Sequence, residues 1–490
     1  MKRRIIAILA CLLVVSLFAA ACGGGNAGNG GSGNAANGGG GNNGGNAESG
    51  GNGGGSGGNG GNGEGSGGNE GGENGGGAQQ VEPFTITLRH IQVGDAQKFR
   101  LAILKDVVAR TEAEVEGLKI ELDGVEDEVN RYTKLPAEMA AGTQPTIFDL
   151  FGGMGDAQKY AKAGRLLDLT PILEELGLSD KFLNLSDFMV DGKVYGLPIG
   201  GNNEGFFYNK KIFDQYGLKV PKTMEELDEV AETLKANGVT PIAMGSQAGW
   251  VPNMIVNTLI GRYAGPDFVA KFADGSLKWD SPEVIRAYAK YEEWVKKGYF
   301  SKGELGMSYD QQLNEFLTGK AGMLFDGSWR SSAFRNDDLT KDVTPEDIGY
   351  FPMPAAPDGI GDQTYVNGNM ANGYGFSANA NENELKAIKA FIKHMYNDEM
   401  QIRGLLEDGV LPSMKISDES ALSKVDDPVV LQVLDVAEKA GGAFSHYETV
   451  IPSKVYQETE VQIQAIIAGK ATAEQAAKAI QKVMDEESGQ

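Results

Sequence analysis

Phe84, Ile86 and Leu88 alternate with polar residues, which predicts a strand over 84–90. The period then lengthens: Phe99, Ile103 and Val107 fall on one face of a helix. Leu118, Ile120 and Leu122 restore alternation and a second strand, and Val129, Tyr132, Leu135 and Met139 fit a second helix, broken near Pro136. Residues 146–151 read as a third strand. A β-α-β-α-β order implies parallel strands with right-handed crossovers, and ligands sit beyond the carboxyl ends of such strands. Gln92-Val93-Gly94-Asp95 and Gly152-Gly153-Met154-Gly155 lie there.

Further along, Gly205-Phe206-Phe207-Tyr208-Asn209 predicts another strand. Thr223 and Glu226 make a capping box ahead of Leu227, Val230, Ala231 and Leu234, and Gly238 closes that helix. Ser281-Pro282 opens another helix, Leu385, Ile388, Ile392 and Met395 line a late one, and Thr472 to Gln475 caps the last.

The first eighty residues follow different rules. Lys2, Arg3 and Arg4 precede an apolar run from Ile5 to Ala21, the layout of a secretory signal. Ala19-Ala20-Ala21-Cys22-Gly23 resembles the lipobox of bacterial lipoproteins, with Ala19 where leucine is usual. The resemblance implies a signal peptide over 1–21 and a lipid on the Cys22 sulfur. From Gly23 to Gly77, 31 of 55 residues are glycine, so this stretch has almost nothing to bury and reads as a disordered tether over 22–80. A coil of that length spans about 40 Å. Gly54-Gly55-Ser56-Gly57-Gly58 fits G-x-S-x-G but has no strand or helix around it.

With 67 acidic and 44 basic side chains the net charge is −23, which argues against nucleic acid as a partner. The 410 residues from Val81 onward exceed one compact core and predict two lobes. Cys11 and Cys22 supply no disulfide framework, and His90, His394 and His446 match no metal-ligand spacing. No metal or cofactor is expected.

Several stretches resemble one family, the extracellular solute-binding proteins of carbohydrate ABC transporters, the group containing maltose-binding protein. Tyr195-Gly196-Leu197-Pro198-Ile199 with Phe206 to Lys210 looks like its first interlobe crossing. Pro221-Lys222-Thr223-Met224-Glu225-Glu226-Leu227 matches a characteristic helix start, with Met224 in place of tryptophan. Gly319 to Met323 through Asp326-Gly327-Ser328-Trp329 looks like the second crossing. Phe351-Pro352-Met353-Pro354 and Gly373-Tyr374-Gly375-Phe376-Ser377 resemble the loop and third crossing. The resemblance implies an α/β, two-lobed periplasmic-binding-protein-like fold with three interlobe crossings and hinge closure on a ligand. The lobes are expected at 81–203 with 327–372, and at 204–326 with 373–490.

A sugar needs aromatic rings for its C–H faces and fixed donors and acceptors for its hydroxyls. Trp250, Trp329 and Tyr374 are the aromatic candidates, weighed against the ordinary fate of aromatics as core; Trp279 and Trp294 are assigned to the core. Gln92, Asp95, Asn203, Glu204, Gln247, Asp326, Asn369 and Asn372 are the polar candidates, although Asn and Asp favour turns regardless of ligand. Met154 fits the cleft floor or a core gap.

The expected function is a monomeric, lipid-anchored receptor on the outer face of the bacterial membrane. It captures a carbohydrate, in the first instance an oligosaccharide, and passes it to an ABC permease without covalent chemistry. A sensor presenting bound sugar to a membrane receptor needs the same cleft. A secreted hydrolase needs two carboxylates facing one bond, and pairs such as Glu126 and Asp127 arise by chance in so acidic a chain. Gly192-Lys193, Gly319-Lys320 and Gly469-Lys470 lack the Ser/Thr of a phosphate-binding loop, and no H-E-x-x-H occurs.

Overall fold

A computed structural model describes residues 82–489 apart from 341, 418, 419, 421 and 422. The signal segment, Cys22 and the glycine-rich stretch lie outside the described residues. The strands are β1 (Phe84–His90), β2 (Leu118–Gly124), β3 (Ile147–Phe151), β4 (Met189–Val190), β5 (Lys193–Val194), β6 (Gly196–Pro198), β7 (Glu204–Asn209), β8 (Thr240–Ala243), β9 (Ala321–Gly327), β10 (Ile348–Phe351), β11 (Val366–Asn367), β12 (Asn372–Phe376) and β13 (Ala443–Phe444). They form two principal sheets. The first has the order β2-β1-β3-β12-β6; the second has the order β13-β11-β7-β9-β8, with β10 also on β7.

The alternating residues of the first segment behave as their pattern predicts. Phe84 pairs with Leu118 and Leu88 with Leu122 in parallel register, and β3 joins β1 in parallel. Ile86, Leu88 and Ile147 face a core completed by Ile103, Leu104 and Val107 of the helix Lys98–Glu114. Pro136 widens the next helix rather than breaking it as expected. Asp127–Val129 runs into a π-helical turn, Asn130–Lys134, and Leu135–Ala141 resumes with Pro136 in its first turn. The wider turn suits a ring that offers no N–H.

In the second lobe Thr223 caps Met224–Ala236 through a bond from Glu226 N. The Glu226 carboxylate reaches back to Lys222 N rather than to Thr223, one residue short of a closed capping box. Ala473–Ser488 shows the complete box between Thr472 and Gln475. Trp279 and Trp294 are fully buried, as assigned.

The crossings differ from those expected. The first does lie where expected, between β6 of the first sheet and β7 of the second. At Asp326–Trp329, however, the chain does not leave the second sheet: β9 lies between β7 and β8 and leads into the 3₁₀ run Ser328–Arg335, and β10 returns to β7. The second passage is instead 368–371, from β11 to β12. The third follows the helix Asp398–Asp408, whose Met400 faces the first core and whose Leu405 faces the second lobe. The expected assignment of 327–372 to the first lobe and 373–490 to the second is therefore corrected. β10 and β11 are bonded into the second sheet, and β12 with the helix Glu382–Met395 belongs to the first.

Candidate functional site

β8 and β9 are parallel, so their carboxyl ends emerge side by side and deliver two tryptophans to one place. Trp250 starts the helix Trp250–Ala264 after the β8 loop, and Trp329 lies two residues past β9. Tyr309, the first residue of the helix Tyr309–Leu317, joins them. Its ring centroid is 4.6 Å from that of Trp250 in an edge-to-face arrangement. Trp329 Nε1 donates to Tyr309 Oη at 2.7 Å, and Tyr309 Oη donates to Asp326 Oδ1 at 2.7 Å. Asp326 is fully buried and also accepts from Arg330 Nε, Gln312 Nε2 and Gly327 N. Burial pushes its carboxyl up, with the Arg330 charge and the hydrogen bonds opposing. The Arg330 guanidinium lies 3.4 Å from the Tyr309 ring centroid. A Cβ on Gly327 would sit 2.0 Å from the Trp329 indole, so the ring rests directly on the backbone. Trp250 and Trp329 are half-buried, braced from behind with apolar surface left over.

The first lobe meets the second along a seam beyond the end of β3. Gly153 has φ +96°, and a Cβ there would lie 2.5 Å from Thr449 Cα. Only glycine permits this approach, because the left-handed φ and the main-chain contact both exclude a side chain. Met154 N donates to Thr449 O at 2.8 Å, and Ser453 Oγ donates to Gly155 O at 2.7 Å. Arg131, turned inward by the π-helical turn, donates through Nη2 to Asp156 at 2.8 Å and to Glu448 of the other lobe. Its guanidinium lies 3.9 Å from the Phe151 ring centroid. Tyr132 stacks on Tyr456 at 6.5 Å. A cavity of about 120 Å³ remains between Arg131, Tyr132, Asp156, Lys159, Glu448 and Tyr456.

Burial dominates the electrostatics here. It pushes Glu448 up to about 7 against the pull of Arg131, and Glu460 up to about 8 with Glu448 adding to the rise. Asp149 is pushed up to about 8 by burial and then by Asp127, while a hydrogen bond from Asn372 opposes. His446 is held down to about 3 by burial and by Arg131.

The expected site residues divide. Trp250, Asp326 and Trp329 come together as described. Met154, 40 % exposed, and Asn372 lie on the first-lobe side of the seam. Gln92 is buried at the end of β1, whereas Asp95 is exposed and its carbonyl accepts from Asn336 Nδ2. Gln247 has an exposed side chain in the loop before Trp250. Asn203 and Glu204 are tied up inside the second lobe: Tyr350 Oη donates to Asn203 Oδ1 at 2.8 Å, and Asn367 Nδ2 donates to Glu204. Asn369 pairs with Asn202, holding two crossings together. Tyr374 turns into the first core against Phe391 and faces no cleft, because it lies on the face of β12 that packs against the helix Glu382–Met395. Tyr309, Arg131, Glu448 and Glu460 carry no expectation from sequence, and Tyr132 carries one only as a helix-face residue. The Ser308–Gln311 capping box marks the helix that Tyr309 begins, but Glu448 sits in a short 3₁₀ turn with no periodicity to find it.

The profile of the bacterial extracellular solute-binding proteins matches residues 100–402. A multiple sugar-binding protein of Streptococcus mutans is 29% identical over 303 residues, 60% of this chain and 68% of that protein. A diacetylchitobiose binding protein of Streptomyces coelicolor is 25% identical over 69% of this chain and 75% of its own. In a putative binding protein of Brucella abortus the matched stretch covers 41% of that protein's length. Among solved structures, a chitin oligosaccharide binding protein shares 48% identity with a TM-score of 0.76, covering 82% of this chain and 98% of its own. Two sheets joined by three crossings and a profile match over most of the folded part lead to one conclusion: the chain belongs to the bacterial extracellular solute-binding protein family.

Proposed function

We propose that the protein captures an oligosaccharide between its lobes by hinge closure and hands it, chemically unchanged, to an ABC permease. The observation that carries this reading is the half-buried Trp250–Tyr309–Trp329 group beside the seam. Braced aromatic faces suit the C–H surface of a pyranose, and the buried hydrogen bonds behind them hold those faces in place. Similarity to a chitin oligosaccharide binding protein and a diacetylchitobiose binding protein supports a β-linked N-acetylhexosamine oligomer as the ligand. Cys22 anchors the protein as a lipid-modified monomer on the outer face of the membrane. The lipobox-like Ala19 to Gly23 supports this.

A thermal-shift panel of chito-, xylo- and malto-oligosaccharides tests the ligand. At a hundredfold excess over Kd a ligand adds about 2.7 kcal/mol of stability, which a melting curve resolves easily. A shift with the chito-series alone supports the reading, and no shift with any sugar refutes it. Intact mass of the membrane-extracted protein tests the anchor: a mature terminus other than a lipid-bearing Cys22 removes that part.

A further inference from the structure

Trp329 has one polar atom, and the protein itself occupies it. An indole N–H can only donate, so the Tyr309 hydroxyl that receives it at 2.7 Å must send its own hydrogen elsewhere. That hydrogen goes to Asp326 Oδ1, also at 2.7 Å. Gly327 N donates to the same oxygen at 2.8 Å, while Arg330 Nε and Gln312 Nε2 donate to Oδ2 at 3.0 and 3.2 Å. These donors fill the roughly four acceptor positions of a carboxylate, so the bonds from Trp329 through Tyr309 to Asp326 can run in one direction only. Gln312 is fixed in turn, because its Oε1 accepts from Gly245 N at 2.7 Å and leaves its amide N–H for Asp326.

Tyr309 is held as firmly as the groups it joins. The Ser308–Gln311 capping box sets its backbone. A Cβ on Gly245 would lie 2.4 Å from Ser308 O, so the loop after β8 presses on the main chain just before it. The Arg330 guanidinium covers its ring at 3.4 Å from the centroid, and Arg330 Nη2 donates to its carbonyl at 3.1 Å. Trp250 meets the same ring edge-to-face at 4.6 Å. Both tryptophans thus take their orientation from one tyrosine.

Resting on the carbohydrate reading above, we propose that Tyr309 is the positioning residue of the site. Its hydroxyl selects one edge of the Trp329 indole and fixes the ring before any ligand arrives. The ring is then ordered on folding and not on binding, which favours affinity. With its N–H occupied, Trp329 offers a sugar a stacking face and no hydrogen bond.

The test joins calorimetric titration with the β-1,4 tetramer of N-acetylglucosamine to NMR of protein carrying nitrogen-15 in its tryptophans. Trp329→Phe assigns the Trp329 signal. In the unmodified protein the Trp329 indole hydrogen should exchange slowly with solvent, both without sugar and at saturation. Rapid exchange overturns the proposal without recourse to any variant, so a misfolded variant does not rescue it. Tyr309→Phe keeps the ring and removes only the hydroxyl. Its affinity for the tetramer should fall about five- to tenfold, and its Trp329 signal should broaden or double and then sharpen when the tetramer saturates. A tyrosine that serves stability alone would lower the melting temperature and leave affinity and the Trp329 signal unchanged, which overturns the proposal. Weaker binding with an unchanged Trp329 signal also overturns it, since the hydroxyl would then touch the ligand itself. Failure of the tetramer to bind the unmodified protein strikes the carbohydrate reading instead, and the exchange rate still decides whether Tyr309 locks Trp329.

Discussion

Replacing Gly153 by alanine asks whether the two lobes must touch for ligand to be held. The added methyl would lie 2.5 Å from Thr449 Cα and 2.6 Å from its carbonyl oxygen. Both are main-chain atoms, so no side-chain rotation makes room. Ordinary contact begins at 3.4 Å, so the two segments must part by about 1 Å. That stretches Met154 N to Thr449 O, now 2.8 Å, beyond hydrogen-bonding range, and strains Ser453 Oγ to Gly155 O, now 2.7 Å. Two bonds at about 1 kcal/mol each give roughly 2 kcal/mol, or about thirtyfold in an equilibrium. The cost falls on the joined lobes alone, so calorimetry should record a loss of ligand affinity of that order. A second penalty, about 1–2 kcal/mol for a side chain at left-handed φ, is paid whether or not the lobes meet and appears as a lower melting temperature. Gly164→Ala separates the two, having φ +67° and nothing within 4 Å of the new methyl. It should melt lower yet bind normally. Equal affinity in the two variants would refute the reasoning.

Other outcomes follow from the same geometry. Trp329→Ala should weaken sugar binding by about thirtyfold or more, while Trp279→Ala, in the core, should cost about 3–5 kcal/mol of stability; paired titrations and melts distinguish them, and the opposite pattern would assign Trp329 to the core. Tyr374→Phe removes a buried hydroxyl without a partner, so stability should change by less than about 1 kcal/mol and affinity not at all. Glu448, Glu460 and Asp149, raised to about 7, 8 and 8, hold protons that the unfolded chain releases, so stability falls as pH rises towards 8. His446, lowered to about 3, acts oppositely but only up to its unfolded value of 6.5. The melting temperature of the ligand-free protein should therefore drop between pH 6.5 and 8.5, and scanning calorimetry showing a rise would contradict this.

What the sequence made legible was mostly local. Alternation and helical period located β1, β2, β3 and the helices that cover them, because each buries one face. Trp250 and Trp329 stand out by their place in the family resemblance, and the parallel pairing of β8 and β9 brings them together. The sides of the crossings could not be found, since β9 and β12 are both short, apolar and glycine-bearing, and only pairing decides which sheet takes them. Asn203 and Glu204 sat at the expected place but were spent on Tyr350 and Asn367, partners 147 and 163 residues away. Arg131 escaped because a π turn rotates it off the face that an α-helical period assigns.

The three crossings are laced at one level. Gly201 N donates to Leu411 O at 2.7 Å and Leu411 N returns to Gly201 O at 3.0 Å, while Asn202 N donates to Asn369 O at 3.0 Å. Three strands tied side by side behave as a leaf spring: soft to bending across its width, stiff to twisting and to sliding lengthwise. One arc of travel is thereby favoured over all others, and every swing returns Gly153 to Thr449 and Arg131 to Glu448 in the same alignment. The half-sites are registered by the spring rather than by the ligand. Side chains facing the ligand can then change from one descendant protein to another without any new motion having to be found.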